Sequence, residues 1–585
     1  MDNVVHRKTL GGKVFPYAVI LLSVLLTLFQ HWEMSHETSL YWFFSRVLAQ
    51  TGRFPILQRG PLYSLYLMIY HPLEYPSSVI AEYIITTFIS TTMLYVFMKR
   101  FTFRFAALLF SVLWVPYLQV SEPSPQKLAL ACSLAAITIR LHINSRKIIV
   151  SFYALLIMAY LFRPIYGVPI LVFAIWDLIR YMRNHGSWNL FKIRPRLQTD
   201  WPLYTIIVFI GIVLIRQSPH PWNNVFASTP TWFPGNAKSF SILQNYNGTY
   251  IYHRFKTFLN HDFYITNKEL FGDANGTVAA IRNNPAFVWF VASGEVTLGI
   301  PVINNMTLLP QFLGLGENVN VVQYLLFLAI SLLAIVATRQ IETRIYILSL
   351  YVTLLVTFII ISGPRHYVFF IPLLGLSAIG LEKSATGIVK KIAQLIHIER
   401  VKQINSTFRL LLTCIVIVIY SHGSTATIQS SSQPSWPLLL SRIRDDLQNG
   451  ELAILESRQE NGQPQAIKGN VNELQHIART CHGIMTLEHT LIAAFIDIPI
   501  DQVYDIWEIP PFDTYNHSTY NKLTPDRINC IFVSKEMRSR IGTATNINLR
   551  YKNYVLPYAE HLLKENAKSI VLKGYGWAIV YPDNR

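Results

Sequence analysis

Long apolar runs alternate with short polar connections over the first three quarters of the chain. They fall near 14–30, 78–98, 103–120, 126–142, 148–162, 164–182, 201–216, 321–338, 344–362, 366–382 and 408–422. A helix rising 1.5 Å per residue needs about 20 apolar residues to cross a bilayer, so the shorter runs must borrow flanking residues or pair as hairpins. The pattern predicts an α-helical polytopic membrane protein with about eleven transmembrane helices.

Three segments fall outside the runs. The loop 31–60 contains Tyr41-Trp42-Phe43-Phe44-Ser45-Arg46-Val47-Leu48, whose periodicity predicts a helix lying in the membrane interface. The loop 217–320 opens on Trp, Pro, Gly and Asn signals, and Gly276–Arg282 within it reads as a short helix leading into apolar 286–303. After 423 the period changes. Residues 423–436 are rich in Ser, Thr, Gln and Pro and read as a linker. Beyond it, 452–455, 530–533, 569–572 and 577–581 have the apolar, β-branched character of buried strands, the last two joined by a Lys573-Gly574-Tyr575-Gly576 turn. The expected organisation is a transmembrane domain over 1–422, a linker, and an extracytoplasmic α/β domain over 437–585.

Composition agrees: 51% of the 585 residues are hydrophobic and 14% charged. Charge supplies the orientation. Basic clusters occupy every second connection: Arg7, Lys8 and Lys13; Lys99, Arg100 and Arg104; Arg140, Arg146 and Lys147; Arg180 to Arg196; Arg339 and Arg344; Lys383 to Arg409. Cytoplasmic loops carry this excess, so the tail is expected outside the cytoplasm. The net charge of +17 says little about nucleic acid, because the tail from Pro434 holds 16 Lys and Arg against 17 Asp and Glu. The excess lies in the membrane half, where anionic lipid and the insertion machinery read it. The first run is followed by His31-Trp32-Glu33 rather than a small-residue cleavage site, and is expected to remain as a span. Of four cysteines, Cys132 and Cys414 fall in spans; Cys481 and Cys530 fall in the tail, as a disulfide or as two buried thiols.

Ionisable residues at the outer ends of the spans form a group: Glu33 and Glu37, Arg59, Glu122, Arg163, Arg365 and His366. Each taken alone is more simply a snorkelling or locally paired side chain. Together on one face they describe a polar cavity whose carboxylates can accept a proton and whose arginines can hold an anionic leaving group in bidentate fashion. Tyr63, Tyr66 and Tyr70, with Trp32 and Trp42, could stack on sugar, but such residues more often form the interfacial aromatic belt. His253, His261 and Asp262 lack tight metal-ligand spacing and read as polar surface. Asn247, Asn275, Asn305 and Asn516 begin N-x-Ser/Thr triplets, which matter only in a eukaryotic secretory compartment.

Glu37-Thr38-Ser39-Leu40-Tyr41, a helix ending at Gly52, and Arg59-Gly60-Pro61-Leu62-Tyr63 resemble the first outer loop of the GT-C superfamily membrane glycosyltransferases. The nearest branch is the bacterial one related to protein O-mannosyltransferases and the lipid A aminoarabinose transferase. Ser121-Glu122-Pro123, Phe162-Arg163-Pro164, Asn283-Asn284-Pro285 and Gly363-Pro364-Arg365-His366-Tyr367 resemble later motifs of that branch, in the same order. The chain departs from the pattern in using Glu37 where Asp is commoner, Gly60 in place of the first Pro, and Pro364-Arg365-His366 for Gly-Arg-Tyr. The resemblance implies an inverting hexosyl- or pentosyltransferase that takes its sugar from a polyprenyl-phosphate donor. The acceptor would be a lipid, glycan or protein on the outer face. It implies Glu37 as general base with Glu33 in reserve, and Glu122 orienting the acceptor or helping to hold a divalent cation. Arg59, Tyr63, Arg163, Arg365 and His366 would line the donor site.

A transporter or flippase of lipid-linked sugars would also need many spans and a polar cavity. Such proteins tend to carry internal repeats and mid-span polar residues, and the spans show no obvious duplication. A surface-polysaccharide polymerase or ligase, using the same lipid-linked substrates, is the nearer alternative. A non-catalytic assembly or export component would tolerate replacement of Glu37.

Overall fold

The computed structural model describes residues 3–30, 34–54, 60–73, 75, 77–120, 124–141, 146–185, 197–216, 272, 277–289, 293, 296, 300, 301, 304, 307, 309, 313, 320–338, 340–360, 368–395, 406–421, 451–456, 465–486, 489–505, 524–534, 555–572 and 576–581. Two compact units emerge. The first comprises Met1–His31, Glu82–Ile212 and Ala292–Pro434; the second comprises Trp32–Ala81, Val213–Val291 and Ser435–Arg585.

Most of the chain described is helical, and a helix stands in every apolar run. The helices are α1 (Asn3–Gln30), α2 (His36–Thr51), α3 (Pro61–Leu67), α4 (Ser77–Met98), α5 (Arg104–Leu113), α6 (Val115–Val120), α7 (Ser124–Arg140), α8 (Arg146–Phe162), α9 (Gly167–His185) and α10 (Leu197–Ile215). A short α11 (Thr277–Asn283) fulfils the expectation at 276–282, and α12 (Asn320–Val336), α13 (Ile341–Ile360), α14 (Ile371–Leu395) and α15 (Ser406–Ile419) follow. Among the described residues, Ser77–Met98, Pro164–Arg183 and Val368–Val389 are long and apolar enough to cross a membrane. Six shorter apolar helices accompany them: Val14–Thr27, Arg104–Leu113, Lys147–Phe162, Asp200–Ile215, Val321–Val336 and Thr407–Ile419.

In the first unit α7 packs on α8, α9 on α13, α12 on α14, and α15 on both α14 and α5. Phe97, Phe110, Trp114, Leu134, Tyr346 and Leu354 are wholly enclosed between the helices. Large apolar side chains also point outward in helical stripes, such as Leu171, Ile175 and Ile179 on α9 and Val321, Leu325, Leu328 and Leu332 on α12. Stripes of that size have no counterpart on a water-soluble surface and suit lipid. Several buried hydroxyls return their hydrogen bonds to their own helices, as Ser90 to the Thr86 carbonyl at 2.9 Å and Thr357 to the Thr353 carbonyl at 2.7 Å. This satisfies them without a polar partner across the bundle. Helices α12 and α14 approach so closely that a Cβ on Gly380 would meet the Leu333 carbonyl oxygen at 1.8 Å, which leaves room only for glycine there.

Several cations of the basic connections are internally partnered. Arg140 closes α7 by pairing with Asp177 of α9, with its guanidinium over the Phe152 and Phe173 rings at 4.6 and 4.9 Å. The Tyr153 hydroxyl donates to the same carboxylate at 2.7 Å. Arg409 pairs with the buried Glu382 at 3.1 Å, and Arg180 with Glu342 at 3.4 Å. These residues tie helix ends together besides contributing to the charge bias.

The second unit carries two sheets. Strand β1 (Met34–Ser35) runs parallel to β2 (Glu451–Glu456), which pairs antiparallel with β3 (Gln465–Asn470). After α16 (Val471–Ala478) come β4 (Ile484–Thr486), α17 (His489–Phe495), β5 (Val503–Asp505), β6 (Cys530–Ser534), α18 (Leu556–Lys564), β7 (Lys568–Leu572) and β8 (Gly576–Val580). They form a five-stranded sheet of order β5-β4-β6-β8-β7, parallel through β5, β4 and β6 and antiparallel at β8 and β7. The four strands read from the sequence are β2, β6, β7 and β8, and the last two make the expected hairpin. The first of the four belongs to the smaller sheet. Met485, Ile531 and Val533 pack beneath α18 on Tyr558 and Leu562, and the Tyr558 hydroxyl reaches the Ile528 carbonyl at 2.6 Å. A disulfide joins Cys481 to Cys530, closing the alternative left open by the sequence.

Candidate active site

Glu37 lies in the first turn of α2, two residues after the β1 residue Ser35, which pairs with Leu455 of β2. Four residues on, Tyr41 is one helical turn along the same face. Its ring meets that of Tyr63 edge-on at 5.3 Å, and both side chains are 1% exposed. The two motif segments Glu37–Tyr41 and Gly60–Tyr63 therefore fold into one packed corner. Gly60 caps α3 with a φ of +66°, and its carbonyl accepts the Tyr63 amide at 2.9 Å. A proline cannot take that φ, which explains glycine in place of the first proline of the pattern; Pro61 occupies the first helical position, where its missing N–H costs nothing.

The apolar face expected to lie against lipid is covered by protein. Tyr41, Trp42, Phe43, Phe44, Val47 and Leu48 of α2 are all buried. Trp42 stacks on His71 and touches Phe495 of α17, which also packs on Tyr75. Tyr66 stacks on Tyr63 and bonds through its hydroxyl to that of Tyr70. Of the aromatics weighed as belt or sugar platform, Trp32 lies outside the described residues, while Trp42, Tyr63 and Tyr70 are buried in this corner and Tyr66 packs beside them. The reason is α17, a partner more than 400 residues away in sequence.

His71 bonds through Nε2 to the buried Ser45 hydroxyl at 2.8 Å. Burial, and then the Arg46 guanidinium, hold its pKa below the ordinary 6.5. The folded protein therefore binds this proton less readily than the unfolded chain. The contribution to stability is full above 6.5 and is lost as pH falls through the depressed value. Because one side of the ring meets solvent, the effect is small. The thermal midpoint is expected to decline on mild acidification, and His71→Asn to flatten that part of the profile. An unchanged slope in His71→Asn would assign the decline to other groups.

In the first unit, Arg163 separates α8 from a short 3-10 turn, Pro164–Tyr166. Its backbone is extended, with φ −151° and ψ 115°, as a residue before proline must be. Its amide still closes α8 on the Ala159 carbonyl at 2.8 Å, and its side chain is half-buried. Glu122 falls between α6 and α7. Since α7 and α8 pack as a hairpin, Arg163 and the start of α7 share one end of it. Glu33, Arg59, Glu122, Arg365 and His366 lie outside the described residues, as do His253, His261 and Asp262.

Two charged residues escaped the sequence reading. Glu82 of α4 is fully enclosed and accepts the Thr86 hydroxyl at 2.6 Å. Lys127, in the first turn of α7, is 1% exposed and holds its ammonium 4.9 Å over the Tyr83 ring. A charge inside an apolar run is costly to bury and marks a functional candidate, which is the signal that could have found them. Among the described residues no three His, Cys, Asp or Glu side chains group as a metal site.

No family model matches the chain. No curated protein matches it either. Among solved structures it is similar to the crystal structure of ArnT from Cupriavidus metallidurans bound to undecaprenyl phosphate. The identity is 13% over 98% of this chain and 99% of that one, with a TM-score of 0.45.

Proposed function

We propose that this chain is a membrane glycosyltransferase that moves a sugar from a polyprenyl-phosphate donor to a glycan, lipid or protein acceptor outside the cytoplasm. The observation that carries the reading is the packed corner in which the Glu37 helix and the Gly60-Pro61-Leu62-Tyr63 turn meet through Tyr41 and Tyr63. Two segments that resemble one functional loop in sequence are also one structural element. The lipid tail stays in the bilayer, which places the donor phosphate at the membrane surface.

Glu37 takes the proton of the acceptor hydroxyl, and that oxygen attacks the anomeric carbon from the face opposite the phosphate. The bond from carbon to phosphate oxygen breaks with inversion. Arg59, Arg163 and Arg365, with His366, neutralise the lipid phosphate as it leaves. Glu122 orients the acceptor. In this reading residues 1–422 hold the chemistry, 423–436 link, and 437–585 lie outside the cytoplasm in a bacterial plasma membrane.

The test is transfer of label from a radiolabelled polyprenyl-phosphate sugar by the full chain in liposomes, together with mass spectrometry of lipid-linked sugars in cells lacking the protein. Accumulated donor and a missing glycan residue are expected. Passage of intact lipid-linked sugar across the bilayer without transfer would identify a flippase, and lengthening of a polymer a polymerase. Topology has its own measurement. A reporter fused after Arg400 is expected to read cytoplasmic, and one after Ser431 outside; equal readings would remove the crossing at 408–422.

A further inference from the structure

We infer that Arg46 is a positioning residue through which the tail sets the placement of Glu37; this rests on the function proposed above. The guanidinium of Arg46, on α2, donates from Nη1 to the Ala493 carbonyl at 3.2 Å and to that of Ile496. From Nη2 it reaches the Ile498 carbonyl and Asp497 Oδ1, each at 3.2 Å. The last carbonyls of a helix have no partners of their own, and a cation there also meets the negative end of the helix dipole. One α2 side chain thus caps α17 and the turn after it. Its side chain is 14% exposed, and burial lowers its pKa while Asp497 opposes the shift. Guanidinium keeps its charge under such conditions, so the clamp holds at every working pH.

Gln50, one turn further along α2, accepts the Ile500 amide at 3.2 Å. At the other end, Met34 and Ser35 pair with Ile454 and Leu455 of β2 immediately before the helix begins. Helix α2 is therefore fastened to the tail at both ends, and Glu37 lies just inside the first fastening. Asp497 is 88% exposed, so its charge contributes little and the carbonyl contacts carry the clamp. A base on a helix held this way keeps its reach to the acceptor without ordering at each turnover, and displacement by about 1 Å costs as much as 10²-fold.

The experiment uses the full chain in liposomes. Arg46→Ala is expected to lower kcat about 10- to 100-fold with little change in donor KM, and to speed amide exchange across 36–51. Arg46→Lys, which has no planar fork, is expected to fall between, and Asp497→Ala to match wild type. Gln50→Ala, a milder change, covers the case in which Arg46→Ala fails to fold, with a smaller loss of kcat in the same direction. Wild-type kcat and exchange in Arg46→Ala, with Glu37→Gln inactive, would overturn this inference alone. An active Glu37→Gln would overturn the base assignment and this inference with it, even if Arg46→Ala loosened α2.

Discussion

Glu37→Gln is expected to reduce turnover about 10²- to 10⁴-fold, the usual contribution of a general base. The amide keeps the shape and most of the hydrogen bonding of the carboxylate but cannot take a proton. Expression and donor binding should therefore survive while kcat falls. Glu33→Gln separates the two acids: if turnover follows Glu33 and is retained without Glu37, the base is Glu33. Arg365→Ala should act differently, weakening donor binding because its partner is the phosphate. If neither carboxylate matters to transfer, the glycosyltransferase reading falls.

Removal of the tail disulfide, by Cys481→Ala with Cys530→Ala, is expected to cost about 4 kcal/mol. The two cysteines are 49 residues apart, and opening a loop of that length restores chain entropy to the unfolded state by that order. For a unit of this size the thermal midpoint should drop by roughly 10 °C. Cys530 begins the central strand β6, its amide bonded to the Gly483 carbonyl at 3.0 Å, so opening the bridge loosens the join between β4 and β6. Reductant should produce the same drop in the wild type and none in the double variant. Equal midpoints with and without reductant would show that the bridge does not form in the protein as made. The clamp at Arg46 hangs from α17 between β4 and β5, so the reduced protein should also lose part of its transfer rate.

The corner around Glu37 shows where sequence reasoning stopped. Periodicity over Tyr41–Leu48 declares a helix, because an apolar face recurs every three to four residues whatever covers it. It cannot say whether lipid or protein is the cover, and here α17 of the tail provides it. Nothing in that stretch shows that the five-donor fork of Arg46 meets the end of another helix; only the fold brings them together. Glu82 and Lys127 were passed over because each is a single charge in a run that remains apolar on average, and only burial reveals their cost.

What the chain alone determined follows from local physics. Apolar runs of bilayer length form helices because an unpaired backbone in lipid is too costly, and helices stand in all of them. The strands Lys568–Leu572 and Gly576–Val580 pair antiparallel because each finds its partner nearby in the chain. The tertiary structure decided everything that depends on distant partners. It chose the pairing of Met34 with Ile454, the capping of Ala493 by Arg46 and the bonding of Cys481 to Cys530. It also divided the predicted strands between two sheets. Such contacts join residues tens to hundreds of positions apart and leave no periodic trace, because any complementary surface would satisfy each segment equally well; only the closed chain selects one.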